Sequence, residues 1–283
     1  MSKRYKFVSH QDMIDYYDRK ISLKNSCHIT FDDGDISVYN IAFPILKEKN
    51  IPATLFVSPL MISQGTNYWF QDLKHLDHEV VRQKFKLQVS DKPGLESFGP
   101  NQFLKSQTFS TIDSIIRKVK NETHPNIPSY NMSDEQLKEL AESNFFTIGA
   151  HTLHHPILSN ESDSISAGEI LDSVRDLSIL LNKKVDAFAF PNGLETIDYG
   201  SRELGIIKSS DVSVSYSCTY NFFSQKCNRY AIPRVEIENG GDLKIKAKTF
   251  YIPVLLNWLL KNTPNGPYGT RKKIHRLLST NGT

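Results

Sequence analysis

A chain of 283 residues can bury one large core or two small ones, and its 39% hydrophobic and 23% charged residues are those of an ordinary globular protein. Its three cysteines (Cys27, Cys218, Cys227) are too few and too irregularly spaced for a disulfide framework or a thiolate metal site. The net charge of +3 is unevenly placed: the eight Lys/Arg after residue 242 have no acid among them, which leaves 26 basic against 31 acidic side chains in the body, and a terminal cluster of this kind argues against a nucleic-acid-binding face.

The opening residues MSKRYKFVSHQDM lack the apolar centre of a secretion signal, and no run reaches the ~18 apolar residues of a spanning helix. The chain therefore reads as cytoplasmic. Along it, 28–31 is a short apolar run with strand character. Residues 37–49 carry Val38, Ile41, Ala42, Ile45 and Leu46 at helical spacing, and Asn50-Ile51-Pro52 stops that helix. A strand follows at 53–57. Between 60 and 131 there is a long interruption, with helical patterns near 77–87 and 110–120 and breakers at Pro93-Gly94 and Gly99-Pro100. That is too long for a plain loop, so it is expected to be an inserted helical subdomain, either a lid or substrate wall or surface decoration with its own small core. Tyr68 and Trp69 within it are candidates to stack on a sugar ring. The rest reads as helix 134–143 with Ser133 as N-cap, strand 145–150, helix 166–181, strand 185–190 and a further strand at 231–237. The alternation implies an α/β fold with parallel strands, whose chemistry gathers at the C-terminal strand ends.

Three such ends carry site-like residues. The first is Thr30-Phe31-Asp32-Asp33-Gly34, the second His151-Thr152-Leu153-His154-His155, the third Pro191-Asn192-Gly193. Alone, Asp-Asp-Gly can be a capping turn, and His-x-x-x-His is a weak signal. Together, two imidazoles and a carboxylate suit a divalent metal with a position open for water, while a second carboxylate can move the proton. That is the kit for metal-assisted hydrolysis of an amide or ester. A basic tail, 243–283, follows; its apolar stretch 251–260 either packs back on the body or lies on an anionic membrane surface.

TFDDG, HTxxH and FAFPNG in this order resemble the polysaccharide deacetylases of the NodB-homology type (carbohydrate esterase family 4), as do FPILKEKNIPATLFV, SDEQLKELAESNFFTIGAHTLHHPILS and EILDSVRDLSILLNKKVDAFAFPNG. The resemblance covers about 7–60 and 130–237. It implies a distorted, incomplete (β/α) barrel over 1–242, with the 60–131 insertion and the basic tail as additions. It also implies one divalent metal, zinc first, held by Asp33, His151 and His155. Asp32 is then the base toward water, and the Pro191-Asn192-Gly193 turn supplies an oxyanion donor. Two departures stand out. The arginine that such proteins often carry two residues before the Pro is Ala189 here, and Arg234 is the candidate to replace it, its plainer alternative being a pair with Glu236 or Glu203. The late Leu-x-His that protonates the leaving amine is missing, and His275 lies in the tail. The implied activity is N-deacetylation of a sugar in a glycan or glycan precursor. The alternatives are hydrolysis of another amide or an O-acetyl ester, or an impaired metal- and carbohydrate-binding protein.

Overall fold

The computed structural model describes residues 5–237, 258–259 and 261–279. A small parallel pair, β1 (Lys6–Phe7) with β2 (Ser26–Cys27), flanks helix α1 (His10–Tyr17). The main sheet has five parallel strands in sequence order: β3 (Ile29–Phe31), β4 (Ala53–Val57), β5 (Phe146–Ala150), β6 (Ala187–Ala189) and β7 (Val214–Tyr216). The crossovers carry α2 (Phe43–Glu48), α8 (Asp134–Glu142), α9 (Asp163–Leu181) and α10 (Ser201–Lys208). Each strand therefore ends on the same edge of an open, incomplete barrel.

The pleat sorts side chains between two layers. From β4, Ala53, Leu55 and Val57 join the core under the helices, with Leu137, Ile148, Ile170, Leu177 and Phe188. Phe56 points the other way, into an interior core with Met13, Ala187, Val214 and Tyr216. All five β4 residues are buried, as a strand covered on both faces must be. Gly149 of β5 faces the same interior, where a Cβ would lie 2.6 Å from the Phe56 ring and 2.9 Å from Ala187. His28, just before β3, ties this interior together through Thr54 Oγ1 (2.9 Å) and Tyr216 Oη (3.1 Å).

The expected strand at 231–237 is reduced to one bridge, Ile232 to Tyr216: Ile232 bonds Ser215 O and Ser217 N–H, but the next N–H, that of Arg234, donates to Thr219 O, while Ser217 O accepts from the Arg234 side chain. The helix at 37–49 forms, but its first part, Val38–Ala42, is a π-type turn. Ser133 caps α8 as expected, accepting from the Gln136 N–H.

The 60–131 segment divides. Its first helix, α3 (Pro59–Ser63), belongs to the main core through Ile62. Then α4 (Trp69–Leu73), α5 (His78–Gln88), α6 (Pro100–Leu104) and α7 (Phe109–Thr123) enclose a second apolar core of their own. The tail contributes to that core: in α11 (Pro267–Ser279), Ile274 is fully buried among these residues, with Leu277 and Leu278 packed beside it. Over α11 the basic tail is a docked helix. The apolar stretch 251–260 lies outside the described residues save Trp258 and Leu259, both exposed. No described helix is long and apolar enough to cross a membrane.

Candidate active site

The chain reaches the site through strained backbone. Asp33 (φ 72°), Thr152 (φ 65°), His155 (φ 56°) and Asn192 (φ 58°) are all left-handed without being glycine. Each costs of order 1 kcal/mol, and they cluster at the ends of β3, β5 and β6. Gly193 cannot be replaced cheaply: at φ 69°, a Cβ would meet Cys218 N at 2.7 Å.

Asp33, His151 and His155 come together, each offering a ligand atom within 4.8 Å of the others. His151 Nε2 is 3.6 Å and His155 Nε2 3.5 Å from Asp33 Oδ1, too far to hydrogen-bond and suited to two ligands facing one ion. The His151 tautomer follows from its other nitrogen. Nδ1 lies 2.7 Å from Ala189 O, and a carbonyl only accepts, so Nδ1 carries the proton and the Nε2 lone pair faces Asp33. Burial holds both imidazoles below the ordinary histidine range, the His151 ring adding to the effect at His155. Burial and the adjacent Asp32 carboxylate push Asp33 up to about 7. Asp33 Oδ1 and His155 Nδ1 are buried without a hydrogen-bond partner. Neutral imidazoles and an orphaned carboxylate oxygen around one point are what a divalent cation requires, so the residues fit the metal.

Asp32 has opposite surroundings. Arg234 grips it bidentately, Nη1 to Oδ1 at 2.7 Å and Nη2 to Oδ2 at 2.8 Å. Burial alone would raise this carboxyl, but the guanidinium outweighs it and holds Asp32 below the usual carboxylate range. Arg234 is fixed by Ser217 O (3.0 Å) and Thr30 Oγ1 (3.3 Å). It thus makes the bond to Asp32 for which it was the candidate in place of an arginine at position 189. The alternative partners are engaged elsewhere: Glu203 pairs with Arg202, and Glu236 accepts from Tyr220. In the third loop, Gly193 N–H already donates to Pro191 O (2.6 Å), which leaves the Asn192 N–H as the turn's donor.

Trp69 is placed differently from the expectation. It is 5% exposed and packs in the insertion's core, so no ring face is presented to a sugar. The next residue, Phe70, is the one that reaches the site, its ring 4.9 Å from that of His155. Tyr68 is buried and donates to Asp33 O (3.0 Å), bracing the left-handed turn. Sequence reasoning also passed over Glu169, a lone acid on the buried face of α9, which accepts from the Leu153 and His154 N–H groups (3.0 Å each) and the His154 ring (2.6 Å). It thereby closes the histidine turn and points His154 away from the ligands. His275 is exposed on α11.

The sequence pattern of the polysaccharide deacetylase family matches residues 19–94 and 99–206, running through most of the insertion and stopping before the tail. The chain belongs to that family. Among curated relatives, it is 28% identical over 197 residues to a poly-beta-1,6-N-acetyl-D-glucosamine N-deacetylase of Staphylococcus epidermidis, covering 65% of this chain and 66% of the relative. A protein of the same name from Staphylococcus aureus is 24% identical over 245 residues, covering 83% and 62%. The chain therefore spans just under two thirds of the length of these deacetylase relatives. In fold it is similar to the Streptococcus pyogenes deacetylase PplD in complex with acetate (TM-score 0.55, 19% identity, 83% and 75% coverage). It is equally similar to a de-N-acetylase from Aggregatibacter actinomycetemcomitans (TM-score 0.55, 17% identity, 87% and 84% coverage).

Proposed function

We propose that this family member is a metal-dependent N-deacetylase acting on an N-acetylated sugar polymer, with β-1,6-linked N-acetylglucosamine, the substrate in its relatives' names, as the first to try. The observation that carries it is the pairing of one donor cluster, Asp33, His151 and His155, with a separate carboxylate, Asp32, kept ionised by Arg234. A borderline cation such as zinc suits two nitrogens and one oxygen, and when bound it would polarise the acetyl carbonyl and acidify water.

The chain's own residues do the rest. Asp32 accepts the proton of the attacking water, and Arg234 holds both of its oxygens in one orientation for that transfer. The Asn192 N–H is the donor for the oxyanion as the carbonyl carbon becomes tetrahedral. Phe70, Tyr68 and the buried imidazoles keep that side of the site dry, which strengthens each of these charges.

The test is acetate release from short acetylated β-1,6-glucosamine oligomers, with and without a chelator. Chelation should abolish release and added zinc should restore it. Acetate released at an unchanged rate after chelation and in Asp32→Asn would overturn the reading. Stoichiometric metal with no turnover on any acetylated sugar would make the chain a binding protein.

A further inference from the structure

Helix α11 lies beyond the family match and takes no part in the chemistry above, yet its Arg271 enters the seam between three segments that bear on the site. One amino group of Arg271 donates to Lys105 O, at the end of α6 in the insertion. The other pairs with Asp198 Oδ1 at 3.3 Å. The Asp198 side chain is 1% exposed and that of Arg271 12%, so the pair is withdrawn from water. Asp198 belongs to the loop that follows the oxyanion turn, where its Oδ2 accepts from the Leu194 N–H (3.0 Å) and its own N–H donates to Leu194 O (2.9 Å). The segment running on from His155 meets the same point: Asn160 Nδ2 donates to Lys105 O (3.0 Å), and Ser159 N–H donates to Asp198 O (3.0 Å). A second tie joins α11 to the loop, Tyr268 Oη to Glu195 O at 3.2 Å.

We propose that Arg271 is a positioning residue, which holds the insertion against the 191–198 loop and so sets the width of the substrate cleft without touching substrate. This rests on the deacetylase reading. The loop keeps its own shape through the Asp198 bonds to Leu194 and Ser159, and Asn160 ties it to the insertion indirectly through Lys105 O and Gln107 O, so what Arg271 adds is the direct tie between that loop and the insertion. A guanidinium suits the task because its planar fork serves two acceptors in different directions, where an ammonium is a single point charge. Removing it alone would strand the buried Asp198 carboxylate, so the neutral pair Asp198→Asn/Arg271→Met separates loss of the tie from an uncompensated charge.

In the full chain, metal content, hydrogen exchange and kinetics would be measured for Arg271→Met, Arg271→Lys and the double variant. The substrates are an acetylated glucosamine oligomer and a small activated acetyl ester. Expected are unchanged metal stoichiometry, faster exchange at 100–107, a KM for the oligomer raised ten-fold or more, and ester kinetics within about two-fold of wild type. Arg271→Lys, which can keep the pair but not the second bond, should fall between. If oligomer and ester rates fall together, or neither changes, the positioning role is wrong. If the wild-type protein releases no acetate from the oligomer, the deacetylase reading is what fails, and unchanged protection at 100–107 in the variants would then overturn the tie itself.

Discussion

Asp32 and Asp33 are identical side chains one residue apart, and the fold assigns them opposite chemistry by giving one an arginine and the other two neutral imidazoles. Asp32→Asn should therefore keep the metal and lose 10²–10⁴-fold in kcat, the span typical of a general base, with elemental analysis and acetate release as the paired readouts. His151→Ala should lose the metal outright. His275→Ala should keep wild-type kcat, since the imidazole stands exposed on α11. The clustering of Asp33, His151 and His155 was legible in the sequence because three motifs stand at successive strand ends in a fixed order. Arg234 was legible only through the family resemblance, which marks Ala189 as a place where such proteins often carry an arginine, and the sequence left a pair with Glu236 or Glu203 open. The choice between Trp69 and Phe70 was not legible. Adjacent aromatics on a helix point about 100° apart, and only the packing of α4 on α7 decides which turns inward.

At the scale of elements, the strands and most helices follow from periodicity and capping, whereas the 231–237 strand is cut short where the Arg234 side chain takes Ser217 O, the acceptor its own N–H would need. Glycine 149 shows the same dependence on neighbours. Gly149→Ala would drive a methyl into Phe56 and should destabilise the protein by about 1–3 kcal/mol, read as a lower denaturation midpoint. His28, bonded between β4 and β7, gives a pH signature. Burial, with the nearby His10 and Arg234 charges, lowers its pKa from 6.5 to about 3. Between those values the unfolded chain binds a proton that the folded chain refuses, so this residue makes stability fall as pH drops through that window. His28→Gln should flatten the melting-temperature profile there; an identical slope in the variant would show that other groups carry the acid sensitivity.

Among the described residues, an incomplete barrel meets the insertion beside the donor cluster through Tyr68 and Phe70, and α11 bonds both the insertion and the loop after β6. Neither the Phe70 contact with His155 nor the Arg271 bonds were legible in the sequence, because Phe70, Lys105, Asp198 and Arg271 are remote in sequence and share no motif. Charge counting pointed the wrong way for α11: its basic residues suggested solvent, while Ile274 and Arg271 carry it inward. Phe70→Ala should raise the KM for a sugar oligomer while leaving metal binding intact, which separates a wall residue from a ligand support. Ile274→Ala should cost about 2–5 kcal/mol, the usual range for emptying a fully buried aliphatic site.

That buried isoleucine also bears on how the protein is made. The insertion's helices are complete by residue 131, yet the residue that fills their core is translated about 140 positions later. A nascent chain paused anywhere in between carries α4–α7 with an unfilled apolar hollow, the kind of surface that recruits chaperones or a second unfinished chain. Strands β3 and β4 precede the insertion and β5–β7 lie within that interval, so the sheet can assemble first and bring Asp32, Asp33, His151 and His155 together before α11 is added. Ribosome-bound intermediates truncated before residue 267 should accordingly protect the sheet from protease while leaving 70–123 open to cleavage.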